Sequence, residues 1–196
     1  MDEIEAARSL IYRMLGLVLA QPPDAGLLAR LARLEGGDSA IGAALSDIAR
    51  QAAKTSAEVA QAEYDALFIG VARGELVPYA SFYLTGFLHE RPLARLRADL
   101  ERLGLTLTTG RSDPEDHMAT VCEVMANLIE RPGLSAQAEF FERHLEPWGS
   151  GFFTDLEGAA AASLYRPVGA VGRLMIELDR QAFAYAADIP SHRGAA

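Results

Sequence analysis

A single cysteine, Cys122, stands in 196 residues. No intramolecular disulfide can form, which fits a reducing compartment. Basic residues are also scarce, 18 against 27 acidic ones, for a net charge of −9. A chain of that sign lacks the cationic footprint that nucleic-acid binding requires, and its field attracts basic ligands or partners instead. Long apolar runs are missing too. Stretches such as Leu15-Gly16-Leu17-Val18-Leu19-Ala20 fall far short of the roughly 20 residues that span a bilayer, so no membrane insertion is expected. The acidic start Met1-Asp2-Glu3-Ile4-Glu5 places no arginines ahead of an apolar core and reads as neither a secretory nor a twin-arginine leader. These absences predict a cytoplasmic protein.

The motifs of common enzymes are equally absent. Lys54, the one lysine, precedes Thr55 without the glycines of a phosphate-binding loop. No G-x-S-x-G elbow occurs. His89-Glu90 lacks the second histidine of a zinc-protease helix. His89, His117, His144 and His192 lie in separate segments and no cysteine pair accompanies them, so the ligand spacings of a metal site are missing. Neither a metal nor another cofactor is expected, and no catalytic residue is assigned.

What is present is a helical chain. Half of the residues are hydrophobic and 23% are charged; a globule of this length buries roughly two-thirds of the surface of its unfolded chain. Ala, Leu, Arg and Glu dominate, and all four favour helices, while alternating strand patterns are missing. The spacing of Ile4, Ile11, Leu15 and Val18 predicts a first helix to Ala20, stopped by Pro22-Pro23. Asp24 and Asp38 are placed to cap the next two, and Thr55-Ser56-Ala57-Glu58 fits a capping box. Gly70, Gly74 and Pro78 mark a loop; Pro92 fits the first turn of a helix ending near Gly104. A polar loop is expected over 106–112. Asp113-Pro114 then reads as N-cap and first residue of a helix with Val121, Met125, Leu128 and Ile129 on its buried face. Pro147-Trp148 reads as a turn, and Pro167 as a kink in the last helical region. The expectation is one all-α domain, a helical bundle over 1–187, with a loose tail over 188–196.

Three clusters carry candidate chemistry. Asp113-Pro114-Glu115-Asp116-His117 sets three carboxylates at a helix start, where they complement the dipole. His117 has no such explanation; beside carboxylates it suits a polar recognition site as well. Pro78-Tyr79-Ala80-Ser81-Phe82-Tyr83 joins a loop to three aromatics and a serine. Phe82 reads as core, whereas the hydroxyls of Tyr79, Ser81 and Tyr83 seek partners and suit the lining of a groove. Phe140-Phe141 through Trp148 reads as core and corner packing.

In this order on an all-helical chain, these clusters resemble the TorD/DmsD family, which includes the NarJ-type chaperones. The matching pieces are Glu63-Tyr64-Asp65-Ala66-Leu67-Phe68-Ile69-Gly70, Pro78 through Tyr83, Asp113 through His117 with Glu123-Val124-Met125, and Phe141 through Trp148 with Phe152. Ala80 stands where the family often has an acidic residue, and Val124 where it often has an aromatic. The resemblance implies a bundle of the TorD/DmsD type and a cytoplasmic chaperone that performs no covalent chemistry. It would bind the twin-arginine signal peptide or the apo form of a molybdenum- or tungsten-dependent oxidoreductase, formate dehydrogenase being the first guess, as monomer or homodimer. The implied peptide-recognition surface comprises Pro78, Tyr79, Ser81, Tyr83, Pro114, Glu115, Asp116 and His117. The carboxylates would attract arginines, His117 would supply a directional hydrogen bond, and the aromatics would shape the groove. The alternatives are a helical adaptor blind to arginine pairs and a small hydrolase using Asp116 and His117 as an acid–base pair.

Overall fold

Side-chain caps start the first four helices of the computed structural model, which describes residues 2–70, 74–105, 113–131 and 133–188. Asp2 accepts from the Glu5 amide at 2.8 Å to open α1 (Glu3–Ala20), and Asp24 from the Leu27 amide at 2.7 Å to open α2 (Ala25–Leu31). Ser39, not Asp38, caps α3 (Ala40–Ala52), and Ser56, not Thr55, caps α4 (Ala57–Tyr64). The Thr55 hydroxyl instead donates back to the Gln51 carbonyl at 2.8 Å, which removes it as an acceptor for the next helix. A single π-helical turn, Asp65–Ile69, continues α4. There follow α5 (Ala80–Thr85), α6 (Arg91–Arg102, with Pro92 in its first turn), α7 (Met118–Ile129) and α8 (Leu134–Phe140). A second π turn, Phe141–Leu145, leads into α9 (Glu146–Gly158), and α10 (Tyr165–Asp188) ends the described chain. Among the described residues there is no strand, only one isolated bridge between Tyr79 and His117.

Two proline expectations are corrected. Pro147 lies in the first turn of α9 and Pro167 in the first turn of α10, where a missing N–H leaves no broken hydrogen bond. Neither turns nor kinks the chain. Helix α10 reaches Asp188, the first residue of the expected tail; the remainder, 189–196, and the loop expected over 106–112 lie outside the described residues.

Helix α7 is the axis of the molecule. Ten of its residues are buried, among them Val121, Cys122, Met125 and Leu128, as expected of a helix that is apolar on nearly every side. Helix α1 packs on it, and α10 packs on α9 and α3. The α9–α10 approach depends on glycine: a Cβ at Gly172 would lie 2.2 Å from the Phe153 ring, and one at Gly169 would lie 2.6 Å from the Glu157 amide. A buried ion pair ties α1 to α10. Arg8 grips Asp179 with two hydrogen bonds, 2.9 and 3.1 Å, and the Tyr12 hydroxyl donates to the same carboxylate at 2.8 Å. Burial, and then the Asp179 charge, push the Tyr12 phenol well above its ordinary pKa, so it stays a donor.

Candidate functional site

Two segments far apart in sequence are joined by backbone before any side chain is considered. The Ala80 amide donates to the Asp116 carbonyl at 2.9 Å, and the Met118 amide donates to the Pro78 carbonyl at 2.8 Å. Tyr79 is extended within this bridge, with φ −124° and ψ 134°. The start of α5 and the start of α7 therefore form one rigid unit, and Pro78, Tyr79, Ser81, Pro114, Asp116 and His117 all belong to it. The Tyr79 ring stands edge-on to the His117 ring, with centroids 5.0 Å apart.

The bridge also sets where α7 begins. Asp113 was expected to cap it, with Pro114 as first helical residue; the helix instead starts at Met118 and His117 is the cap. Pro114 to His117 form a turn, closed by the His117 amide donating to the Pro114 carbonyl at 3.1 Å. Pairing with Tyr79 then holds His117 extended, so helical geometry cannot begin earlier. His117 Nδ1 accepts from the Ala119 amide at 3.1 Å. An accepting Nδ1 carries no proton, which reconciles this ring with the positive end of the helix dipole.

Asp116 caps the other helix. Its Oδ2 accepts from the Ser81 amide at 2.8 Å, and Tyr79, the residue at the N-cap of α5, supplies no side-chain acceptor of its own. Asp116 is 1% exposed, and its Oδ1 has no hydrogen-bond partner among the described residues. A buried acceptor left in that state costs about 1–3 kcal/mol. Asp116 lines a cavity of about 30 Å³ with Leu84, Pro92, Arg95, Arg143 and His144, space on the scale of one water molecule. Ser81 is fully buried, and its hydroxyl accepts from the Glu90 amide at 3.3 Å.

The other expected residues divide in two. Glu115 is tied to Arg97 by two hydrogen bonds of 2.9 and 2.7 Å, and that guanidinium holds its carboxyl below the ordinary range. Tyr79 and Tyr83 each donate to an exposed carboxylate, Tyr79 to Asp113 at 3.1 Å and Tyr83 to Asp155 at 2.9 Å. Burial, together with those charges and hydrogen bonds, raises both phenols above their ordinary pKa. Tyr83 is half core, with its ring 5.6 Å from Trp148 and 5.9 Å from Phe152. Phe82 is half-buried and lies 6.2 Å from Tyr83. Beyond α5 the chain turns through Gly86 and His89, both at positive φ, and leaves Leu84 44%, Phe87 70% and Leu88 44% exposed.

Sequence reasoning missed Asp155, Arg95, Arg143 and the pair His144–Asp99. His144 Nε2 lies 2.7 Å from Asp99 Oδ2, and Asp99 also receives Arg102 and Arg143. These side chains come from α6, the second π turn and α9, and no local spacing links them to the loop. Chemically, the unit presents acceptors and apolar surface. Asp116 and His117 are both engaged with backbone amides rather than with each other, and Cys122 is buried, with its thiol pushed far above its ordinary pKa by burial. Among the described residues no group of three His, Cys, Asp or Glu is placed to hold a metal, and no helix is long and apolar enough to cross a membrane.

Comparison with known proteins bears on the family and the fold. The sequence model of the nitrate reductase delta subunit family matches residues 34–154. A chaperone protein TorD from Vibrio cholerae serotype O1 (strain ATCC 39541) is 28% identical over 131 residues, covering 61% of this chain and 60% of that protein. The TorD of Actinobacillus succinogenes is 26% identical over 107 residues, 55% of each chain. The matched part thus spans less than two thirds of these curated relatives. Among solved structures, a redox enzyme maturation protein from Archaeoglobus fulgidus superposes with a TM-score of 0.65 over 87% of this chain and 93% of the other, at 23% identity. At that identity the likeness shows a shared all-helical fold.

Proposed function

We propose, from the premise that this chain belongs to the nitrate reductase delta subunit family, that it is a chaperone of redox-enzyme maturation. It holds the arginine-bearing signal peptide, or the apo form, of a molybdenum- or tungsten-dependent oxidoreductase until cofactor insertion, and so acts in the cytoplasm, before export or assembly. Its relatives are named chaperones rather than enzymes, and no covalent step is assigned to it. Formate dehydrogenase is the client to assay first.

The observation that carries the peptide-binding reading is Asp116: a buried carboxylate with one oxygen committed to the Ser81 amide and the other without a partner among the described residues. Around it, Asp113 and Asp155 are exposed carboxylates, each oriented by a tyrosine hydroxyl. Carboxylates pair with guanidinium in the plane of the fork, and the charge of −9 draws a basic segment in. Leu84, Phe87 and Leu88 offer an apolar surface for the stretch that follows the arginines. A guanidinium is larger than the cavity at Asp116, so Asp113 and Asp155 make the first contacts, and Asp116 is reached when the segment from Leu84 to Pro92 shifts.

Calorimetric titration tests this with two peptides, one bearing adjacent arginines before an apolar stretch and one with alanines in their place. Native protein should prefer the arginine peptide, and Asp116→Asn should lose about tenfold to a hundredfold in affinity for that peptide alone, the worth of a charge-assisted hydrogen bond. Equal affinities across all four pairings overturn the site and leave the arginine-blind adaptor.

A further inference from the structure

A groove between α1 and α2 lies apart from that site, largely outside the residues 34–154 that the family shares. Helical spacing sets Leu10, Met14 and Leu17 on one face of α1. Across from them stand Leu27 and Leu31 of α2, with Leu34 just beyond its end; together they line a groove of about 300 Å³. Leu31 is buried as its floor, while Leu10 is 67% and Leu17 42% exposed. Single exposed leucines are ordinary, but apolar residues converging on one groove mark a docking surface.

The rim is positive on an acidic chain. Arg13 and Arg30 stand in the lining. Arg13 is held by Glu130 of α7, Nε to Oε1 at 2.9 Å. Arg30 is exposed and has no carboxylate partner among the described residues. We infer that this groove docks an amphipathic helix of a partner protein, with apolar residues on one face and Asp or Glu beside them. From Leu10 to Leu17 the groove runs about 10 Å, two turns of helix, which seats an i, i+3, i+4, i+7 set of side chains. A second copy of this chain is a poorer occupant: a two-fold contact places the same patch on itself and sets Arg30 of both copies against one another. A lipid surface fits a convex apolar face better than a groove.

The test uses the full chain and two synthetic amphipathic helices with leucines at i, i+3, i+4 and i+7, flanked in one by glutamates and in the other by lysines. The glutamate helix should bind about tenfold more tightly than the lysine helix, and added salt should narrow the difference. Leu10→Gln and Leu17→Gln, at exposed positions that leave the fold intact, should each weaken binding severalfold. Arg30→Glu should abolish or reverse the preference. The inference is overturned if Arg30→Glu leaves the preference unchanged, or if neither helix binds. It is also overturned if the native protein is a dimer that Leu10→Gln dissociates, or if it adsorbs to phosphatidylglycerol vesicles through the same leucines. None of these outcomes depends on the arginine-peptide site, whose failure is read separately by its own titration.

Discussion

Glu63 and Asp116 are both buried carboxylates, 8% and 1% exposed, and both cap a helix that lies elsewhere in the sequence. Glu63, near the end of α4, accepts from Ser163 and Tyr165 amides at 2.7 and 2.8 Å through one oxygen, and from Leu164 at 3.1 Å through the other. It thereby satisfies the two amides just ahead of α10 and that of Tyr165, its first residue. Asp116 accepts one amide through one oxygen and leaves the other without a partner among the described residues. A carboxylate that accepts three amides, with both oxygens engaged, has little left to offer a ligand. A half-used one keeps acceptor capacity at the expense of stability, and such local violations concentrate where function needs them. Of two carboxylates that look alike in burial, the one with spare valence marks the candidate site.

Substitution separates the two most sharply at Glu63. Glu63→Ala leaves three amides at the start of α10 without their acceptor and should lower stability by about 3 kcal/mol, read as a fall in the urea midpoint with an unchanged slope. The affinity of the remaining folded protein for an arginine peptide should not move. Asp116→Asn should do the reverse. It keeps an acceptor for the Ser81 amide and replaces the unpartnered oxygen with a donor, so stability should change by no more than about 1 kcal/mol, while arginine-peptide affinity falls at least about tenfold. A fall in stability equal to that of Glu63→Ala, with affinity untouched, would reduce Asp116 to a second structural cap.

Asp99 is an intermediate case, because its partners are side chains that carry charge. Burial raises its pKa, but hydrogen bonds from His144 and Arg102 and the charge of Arg143 outweigh that and hold it low. Burial favours the neutral ring of His144 and lowers its pKa. Both directions have the same consequence. As pH falls through about 6.5, the ordinary histidine value, the unfolded chain takes up a proton that folded His144 resists, and stability drops. The Asp99 contribution, present above the ordinary carboxylate value, is lost later, as pH falls through its lowered folded pKa. Urea midpoints measured between about pH 7 and about pH 5 should decline in native protein and decline less in His144→Gln. An identical slope in both would place the acid sensitivity elsewhere.

Much of the fold was legible because it is written locally. Asp24 caps where a short polar residue precedes an apolar period, and Pro92 marks the first turn of α6. The error at the site arose where distant backbone took over. Asp113-Pro114 has the local form of a helix start, yet pairing with Tyr79 delays α7 to Met118. Tyr79, Ser81, Asp116 and His117 could be named from residue type and family resemblance, but their division of labour could not. Whether Asp116 faces a solvated surface or lies buried with one oxygen used depends on α5 folding against it. Glu63 shows the same limit from the other side: no spacing within the sequence relates it to amides a hundred residues later. Asp155, which orients Tyr83, and Arg143, beside the cavity, carry no local signal at all.

The smallest expected effect concerns the rim of the site. Tyr79 and Tyr83 resemble each other in donating a hydroxyl to an exposed carboxylate, but Tyr83 packs its ring into the Trp148–Phe152 cluster while Tyr79 rests on His117. Removing only the hydroxyl isolates the polar contribution. An exposed hydrogen bond of this kind contributes up to about 1 kcal/mol, so Tyr79→Phe and Tyr83→Phe should each shift stability by less than that. Their effect on an arginine peptide comes through orientation of Asp113 and Asp155. A carboxylate offers several acceptor sites, so the tyrosine does not compete with a guanidinium; it restricts the carboxylate to fewer rotamers before the ligand arrives. Loss of that restriction should lower affinity by about threefold, since each ordered side chain costs about 0.5–1.5 kcal/mol. Removing the whole ring then tells the two apart. Tyr83→Ala should cost about 3 kcal/mol of stability as a core truncation, and Tyr79→Ala about 1 kcal/mol, the scale of an edge-on ring contact. Urea unfolding and peptide titration on these four variants give both readouts, and equal losses of stability for the two alanine variants would contradict the division between a core tyrosine and a rim tyrosine.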